Sequence, residues 1–407
     1  MVALPPVLPV AGGKPTGRHW LSLFLSLCLL LFLADAVASF VDDALILFTG
    51  MHALSLIRVL ISLATVLMAV VIYALIGLTP IIPKRLLLPI PLFFIGGMLA
   101  MFGLMIFWYH RTERIAFALS TAELLVGIVL LLSIRREGKI RWPLVTAEQL
   151  GARWFSWRNL VGFVLANVFV LLPLVAIYLF ACGAMAVNHY SEGFMSLHPD
   201  GFRVQVRKYV RDDGKVIQLF PMAHVAAPSF YQQVAQTFPT NALIMMEGVT
   251  DDGNLLTNKI SYRRMAKTLG LSEQKNTFAP NPLAVVHADV DVGVFSKETI
   301  DFLNLVMLFH SQGVTAENLT KMMSYQPQPD FDKRLFGDLL EKRNDHLLGE
   351  IRDHLTTADS LMVPWGVAHM PGLAREIEKT GFHLAETREY VVIPFGHGGT
   401  ESPISQK

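Results

Sequence analysis

Val216-Ile217-Gln218-Leu219-Phe220-Pro221-Met222-Ala223-His224 and Leu361-Met362-Val363-Pro364-Trp365-Gly366-Val367-Ala368-His369 are two apolar runs that each finish on a histidine and lead into a helical pattern. A short apolar run bounded by turn signals reads as a strand buried on both faces. A side chain at a strand-to-helix junction projects into the crevice at the carboxyl edge of a sheet, where open α/β proteins bind their ligands. Two such histidines point to one site, in a C-terminal α/β domain with a mixed sheet.

Outward from these runs the composition divides the chain. Of 407 residues, 53% are hydrophobic, and the excess lies before about residue 190. Five stretches approach the roughly 20 apolar residues that a helix needs to cross a bilayer: Trp20–Val41, Val59–Thr79, Leu86–Tyr109, Ile115–Ile134 and Leu160–Val187. The first is longer than a signal-peptide core and is followed by more spans, so it reads as a retained anchor. Ala44–Ile57, interrupted by Gly50 and His52, reads as a surface or re-entrant connection. The expected organisation is a tail (1–19), an α-helical transmembrane domain of about five spans (20–187), a linker (188–201), an α/β domain (202–397) and a second tail (398–407).

Lys and Arg collect in alternate loops. Lys14 and Arg18 precede the first span, Lys84 and Arg85 lie between the second and third, and Arg135, Arg136, Lys139, Arg141, Arg153 and Arg158 lie between the fourth and fifth. Positive loops face the cytoplasm, so the expected protein is integral and multi-pass, with a cytoplasmic N-terminus and an extracytoplasmic C-terminal domain. The lipid bilayer is then its first partner. A net charge of +1 gives no bulk attraction to nucleic acid. Both cysteines, Cys28 and Cys182, sit in apolar runs, which leaves the C-terminal half without a disulfide or thiolate metal site. Asp35 and Glu123 interrupt two spans at about the same depth on one side. They read either as a shared proton or polar pocket, or as groups that reach water near the interface.

In the C-terminal half, Phe202–Val210 and Lys215–Ala223 flank the turn signal Asp212-Asp213-Gly214. Helical patterns cover Ser229–Phe238, Ser261–Leu269, Lys297–His310, Phe331–Leu355 and Gly372–Thr380. Ala242–Glu247, Leu283–Asp289, Leu361–Ala368 and Tyr390–Phe395 read as strands. Glu247 closes its apolar run, so it enters the same crevice as His224 if their strands are neighbours joined by one helix. His224, Glu247 and His369 then supply two imidazoles and a carboxylate, the donor set of many catalytic zinc sites. Equally, a histidine at a strand end reads as a hydrogen-bonded structural residue. Asp289 and Asp291 orient a ligand histidine or bind substrate, or else Asp291 opens the next helix. Arg343, within Glu341-Lys342-Arg343-Asn344-Asp345, is either a solvated helix charge or an arginine folded over the crevice.

Residues from about 202 to 395 resemble the TraB/GumN family, which includes the pheromone-shutdown proteins and the Tiki membrane-anchored proteases and is distantly similar to the ChaN and erythromycin-esterase group. The resemblance rests on the motif ending in His224, then Met246-Glu247-Gly248, Ala288-Asp289-Val290-Asp291, Arg343-Asn344 and the motif ending in His369, in that order along the chain. It implies a metal-dependent, peptidase-like hydrolase acting on an extracytoplasmic peptide or ester. His224, Glu247 and His369 would hold Mn, Co or Zn, Glu247 and Arg343 would be catalytic, and Asp289, Asp291 and Asn344 would lie at the substrate. The erythromycin-esterase likeness implies a metal-free variant with Glu247 as general base. One departure stands out: Pro221-Met222-Ala223-His224 carries proline where the second motif has Gly366. The residues alone leave a non-catalytic regulatory module that binds a peptide or metal complex as the alternative, and they set no oligomeric state.

Overall fold

The computed structural model describes residues 17–135, 139–257, 262–278, 284–313 and 315–396. The tails up to residue 16 and over 398–407, together with Lys14, Arg136, Ser261 and Leu283, lie outside the described residues. The chain forms two compact units, divided between Cys182 and Gly183.

The first unit is built from helices. Four helical stretches are long and apolar enough to cross a membrane: Gly17–Thr49, Ser55–Leu78, Lys84–Ile134 and Trp157–Tyr190. The third is 51 residues long. A 3-10 turn at Tyr109–Arg111 separates its helices Pro89–Trp108 and Thr112–Ile134, which overlap the apolar stretches Leu86–Tyr109 and Ile115–Ile134. Side chains such as Leu56, Val59, Leu67 and Phe169 are exposed on these helices. An outward apolar surface of this kind suits lipid rather than water. The segment 44–57 is no separate connection. The first helix runs on to Thr49, Gly50 breaks it at a positive φ of 70°, and the next helix starts at Ser55.

The second unit is a mixed sheet with helices on both faces. Its strands are β1 Met195–His198, β2 Gly201–Val210, β3 Val216–Met222, β4 Val225–Ala226, β5 Leu243–Met246, β6 Ser272–Glu273, β7 Ala284–His287, β8 Ser360–Gly366 and β9 His383–Pro394. The segment read as a linker therefore holds an ordered strand. The order is β1-β2-β3-β8-β5-β7, with β9 also paired to β2 and with β4-β6 as a separate pair. β3, β8, β5 and β7 are mutually parallel, whereas β1 and β9 run antiparallel to β2. Gly214, at φ 84°, turns the hairpin that joins β2 to β3.

The expected neighbours β3 and β5 are not adjacent, because β8 lies between them. Its pairing with β3 is in register from Val216↔Ser360 to Met222↔Gly366. The two apolar runs are thus side by side, and both are hydrophobic throughout because both faces of the sheet are covered. Ile217, Leu219, Leu361, Val363 and Trp365 pack against Leu347, Ile351, Leu373 and Ile377 on one face. Phe220, Met222, Ile244 and Met362 pack against Phe230, Tyr231 and Val234 on the other. Pairing of β3 with β2 ends at Leu219, before Pro221, so a proline at that position interrupts no ladder on the β2 side.

Candidate functional site at the carboxyl edge of the sheet

Four parallel strands end together, and each delivers one polar residue past its last apolar position. β3 leads to His224, β8 to His369, β5 to Glu247 and β7 to Asp289. The fifth contributor is Arg343, the second residue of the helical run Lys342–His354 that follows a π turn at Gly337–Glu341. A π turn adds one residue per turn and changes which face the following side chains occupy. Here it precedes the two residues that reach the sheet edge.

Arg343 is the centre of the arrangement. Its Nε donates to Asp289 Oδ1 at 2.9 Å and its Nη2 to Asp289 Oδ2 at 2.6 Å, a bidentate fork. Nη2 also donates to Glu247 Oε1 at 2.8 Å, and Nη1 to His369 Nε2 at 3.2 Å. The guanidinium carbon lies 5.3 Å from the Trp365 ring centre. Burial works against the Arg343 charge, but the hydrogen bonds and charges of Asp289 and Glu247 outweigh it and push its pKa up. Asp289 is itself fixed by the backbone N–H groups of Gly248 and Val290, both at 2.9 Å. Glu247 Oε2 accepts from the Gly366 N–H at 2.6 Å, which ties the end of β5 to the end of β8.

The tautomer of His369 follows from its partners. An arginine only donates, so Nε2 is an acceptor, and the proton sits on Nδ1, which donates to Asn344 Oδ1 at 2.7 Å. The ring is 3% exposed. Its pKa is pushed down to about 4, first by burial and then by the Arg343 charge, so the imidazole is neutral near pH 7. Behind it the chain closes tightly: a Cβ on Gly372 would stand 2.7 Å from Asn344 Nδ2.

The sequence-derived candidates therefore divide. Glu247, Asp289, Arg343, Asn344 and His369 form one hydrogen-bonded cluster. His224 is exposed and stands at the rim, its ring stacked on Tyr262 with centroids 5.2 Å apart. Asp291 is turned away from the cluster. It accepts from Thr250 Oγ1 and the Asp252 N–H, both at 2.9 Å, and from the Gly293 N–H at 2.8 Å, where it caps the 3-10 turn Val292–Val294. That agrees with the reading in which Asp291 opens the next helix.

A cavity of about 670 Å³ opens over the cluster, lined by His224, Glu247, Tyr262, Glu273, Lys275 and Arg343 among others. This volume suits a small molecule or a short stretch of peptide. Lys275, Glu273 and Tyr262 were not read as site residues. Each lies on a short, poorly periodic segment, and only its position over the sheet edge marks it.

The donor set does not fit a resident divalent metal in this arrangement. The lone pair of His369 and one oxygen of Glu247 both face the Arg343 guanidinium, a fixed cation where an ion would have to sit. Among the described residues no group of three or more His, Cys, Asp or Glu is disposed to hold a metal ion.

No protein-family model, no curated protein and no solved structure matches this chain. The likeness to TraB/GumN proteins therefore stands on the motif residues alone.

Proposed function

We propose that the chain is a membrane-anchored hydrolase of the TraB/GumN type, working in its metal-free form on a peptide or ester. The observation that carries this reading is a guanidinium held rigidly at the floor of a cavity beside a carboxylate. A substrate carbonyl oxygen directed at Arg343 would find a fixed cation for the charge that develops when water adds to the carbonyl carbon. Glu247, with further lone pairs on both oxygens, would take the proton of that water and return it to the leaving nitrogen or oxygen as the bond to carbon breaks. His224 and Lys275 at the rim would bind the substrate's anionic groups. A divalent ion on His369 and Glu247 would first require Arg343 to leave, and no step is assigned to one.

In the same proposal the helical unit makes five crossings, with the Lys84–Ile134 stretch counted as two. The N-terminus is cytoplasmic and the C-terminal domain extracytoplasmic. Reporter fusions after residue 407 and in the loop near Lys84 test this. Activity at the first site and inactivity at the second, with a reporter that works only outside the cytoplasm, is the expected result.

Digestion of a peptide and ester library by the purified full chain tests the chemistry. Wild type should cleave a subset, Glu247→Gln should not, and a chelator should leave cleavage unchanged. A second reading is favoured by the saturation of the cluster, since Asp289 and His369 spend their hydrogen bonds on Arg343, Asn344 and the backbone of Gly248 and Val290. In that reading the cavity binds a peptide or small molecule without turnover and serves a regulatory role. Saturable binding with no product from any library member would select it.

A further inference from the structure

The helical unit contains a second cavity, of about 550 Å³, that the proposed hydrolase does not use. Most of its wall is apolar, with Val66, Val70, Phe93, Phe94, Met98 and Met101 among the lining residues. Ser39, Arg58, Ser120 and Glu123 also contribute to the lining. Glu123 is 6% exposed, and its Oε1 has no hydrogen-bond partner. A buried carboxylate oxygen left unmet forfeits a charge-assisted hydrogen bond that a bound donor would restore.

Arg58 is not that donor. Its Nη1 is held by Asp42, at 3.4 Å, and by Asp43, and Glu123 Oε1 accepts nothing from it. Asp35, fully buried, has its Oδ1 met by Ser62 at 2.6 Å and Ser39 at 3.3 Å, while its Oδ2 is also without a partner. Four acids, Asp35, Asp42, Asp43 and Glu123, thus surround one arginine. Three of their oxygens, Asp35 Oδ2, Asp43 Oδ2 and Glu123 Oε1, have no hydrogen-bond donor.

From these observations we infer that the cavity is a binding site for a hydrophobic ammonium ion, an amine whose charged head donates to the Glu123 carboxyl group and whose apolar body fills the space between Val66, Phe93 and Met101. An inorganic cation would meet the charge and leave the apolar wall unused. A lipid chain would fill the wall and leave Glu123 unmet.

Equilibrium binding of radiolabelled adamantylamine to the full chain in phosphatidylcholine nanodiscs tests this. Wild type should bind saturably, and Glu123→Gln should weaken binding about tenfold or more. Adamantanecarboxylate, of the same shape and opposite charge, should not compete. Val66→Trp fills the cavity, leaves every charge in place and should also abolish binding, so the inference remains testable should the glutamine variant not fold. Equal binding by wild type and a folded Glu123→Gln, competition by the carboxylate as strong as by the amine, or unaltered binding by Val66→Trp would each overturn it.

Discussion

Arg343 spans three acceptors that come from three different strand ends, so its removal has a predictable cost. Arg343→Met would leave the Asp289 and Glu247 carboxylates facing one another without a cation, and breaking a buried pair on one side costs about 3–5 kcal/mol. Chemical denaturation of the purified protein should show a loss of that order. Arg343→Lys should recover only part of it, because an ammonium cannot make the fork to both oxygens of Asp289. His369 makes a different demand. Its pKa is about 4 in the folded chain against an ordinary 6.5. Above pH 6.5 neither state is protonated and the full contribution is present. As pH falls from 6.5 toward 4 the unfolded chain takes up a proton that the folded chain refuses, so stability declines, by about 3 kcal/mol in total. The denaturation midpoint measured across that window should fall with pH, and His369→Gln should remove this part of the slope.

At the scale of elements, the close approach of two helices fixes the imidazole. The 2.7 Å gap that a Cβ at Gly372 would leave to Asn344 Nδ2 means that Gly372→Val should displace the amide, free the His369 ring and cost about 1–3 kcal/mol. An intact β-sheet signature by circular dichroism, with a lowered midpoint, is the expected result. The parallel strands were legible in the sequence because burial on both faces leaves an unbroken apolar run with a polar residue at its end. The structure brings the residues that end these runs to one edge, Glu247, Asp289 and His369 within one cluster and His224 at its rim. β9 was read only as Tyr390–Phe395, whereas it begins at His383. It pairs with β2 alone, and its first half is largely exposed, so those residues carry no apolar signal. Two further features had no local signal. The insertion of β8 between β3 and β5 is a choice among long-range pairings, all equally compatible with three apolar runs. Within the π turn before Arg343, Asp338 accepts from the Ser296 N–H at 2.9 Å and Oγ at 2.7 Å, a contact made across 42 residues that no local pattern announces. Arg343 and Asn344 stand on a charged helix whose local sequence is equally compatible with a solvated face, and the structure places both at the sheet edge just after that turn.

For the whole molecule, the division of labour is between a helical unit whose outer surface is apolar and an α/β unit whose polar cluster is satisfied from within. A metal-free site predicts that prolonged chelation leaves both the thermal midpoint and ligand binding of the full chain unchanged, whereas loss of a structural or catalytic ion would lower one or both. The central position of β8 carries a consequence for how the protein is made. β3 and β5 cannot be joined until residues 360–366 have left the ribosome and slid between them, and pairings so distant in sequence form slowly. While the chain between β5 and β8 is being made, β3 can pair only with β2 and β5 only with β7, so each presents one unpaired apolar edge to a vacant central slot, a state that needs protection from aggregation. A nascent chain halted before residue 360 should accordingly be captured by holding chaperones and degraded, with protease resistance arriving abruptly once the last fifty or so residues emerge.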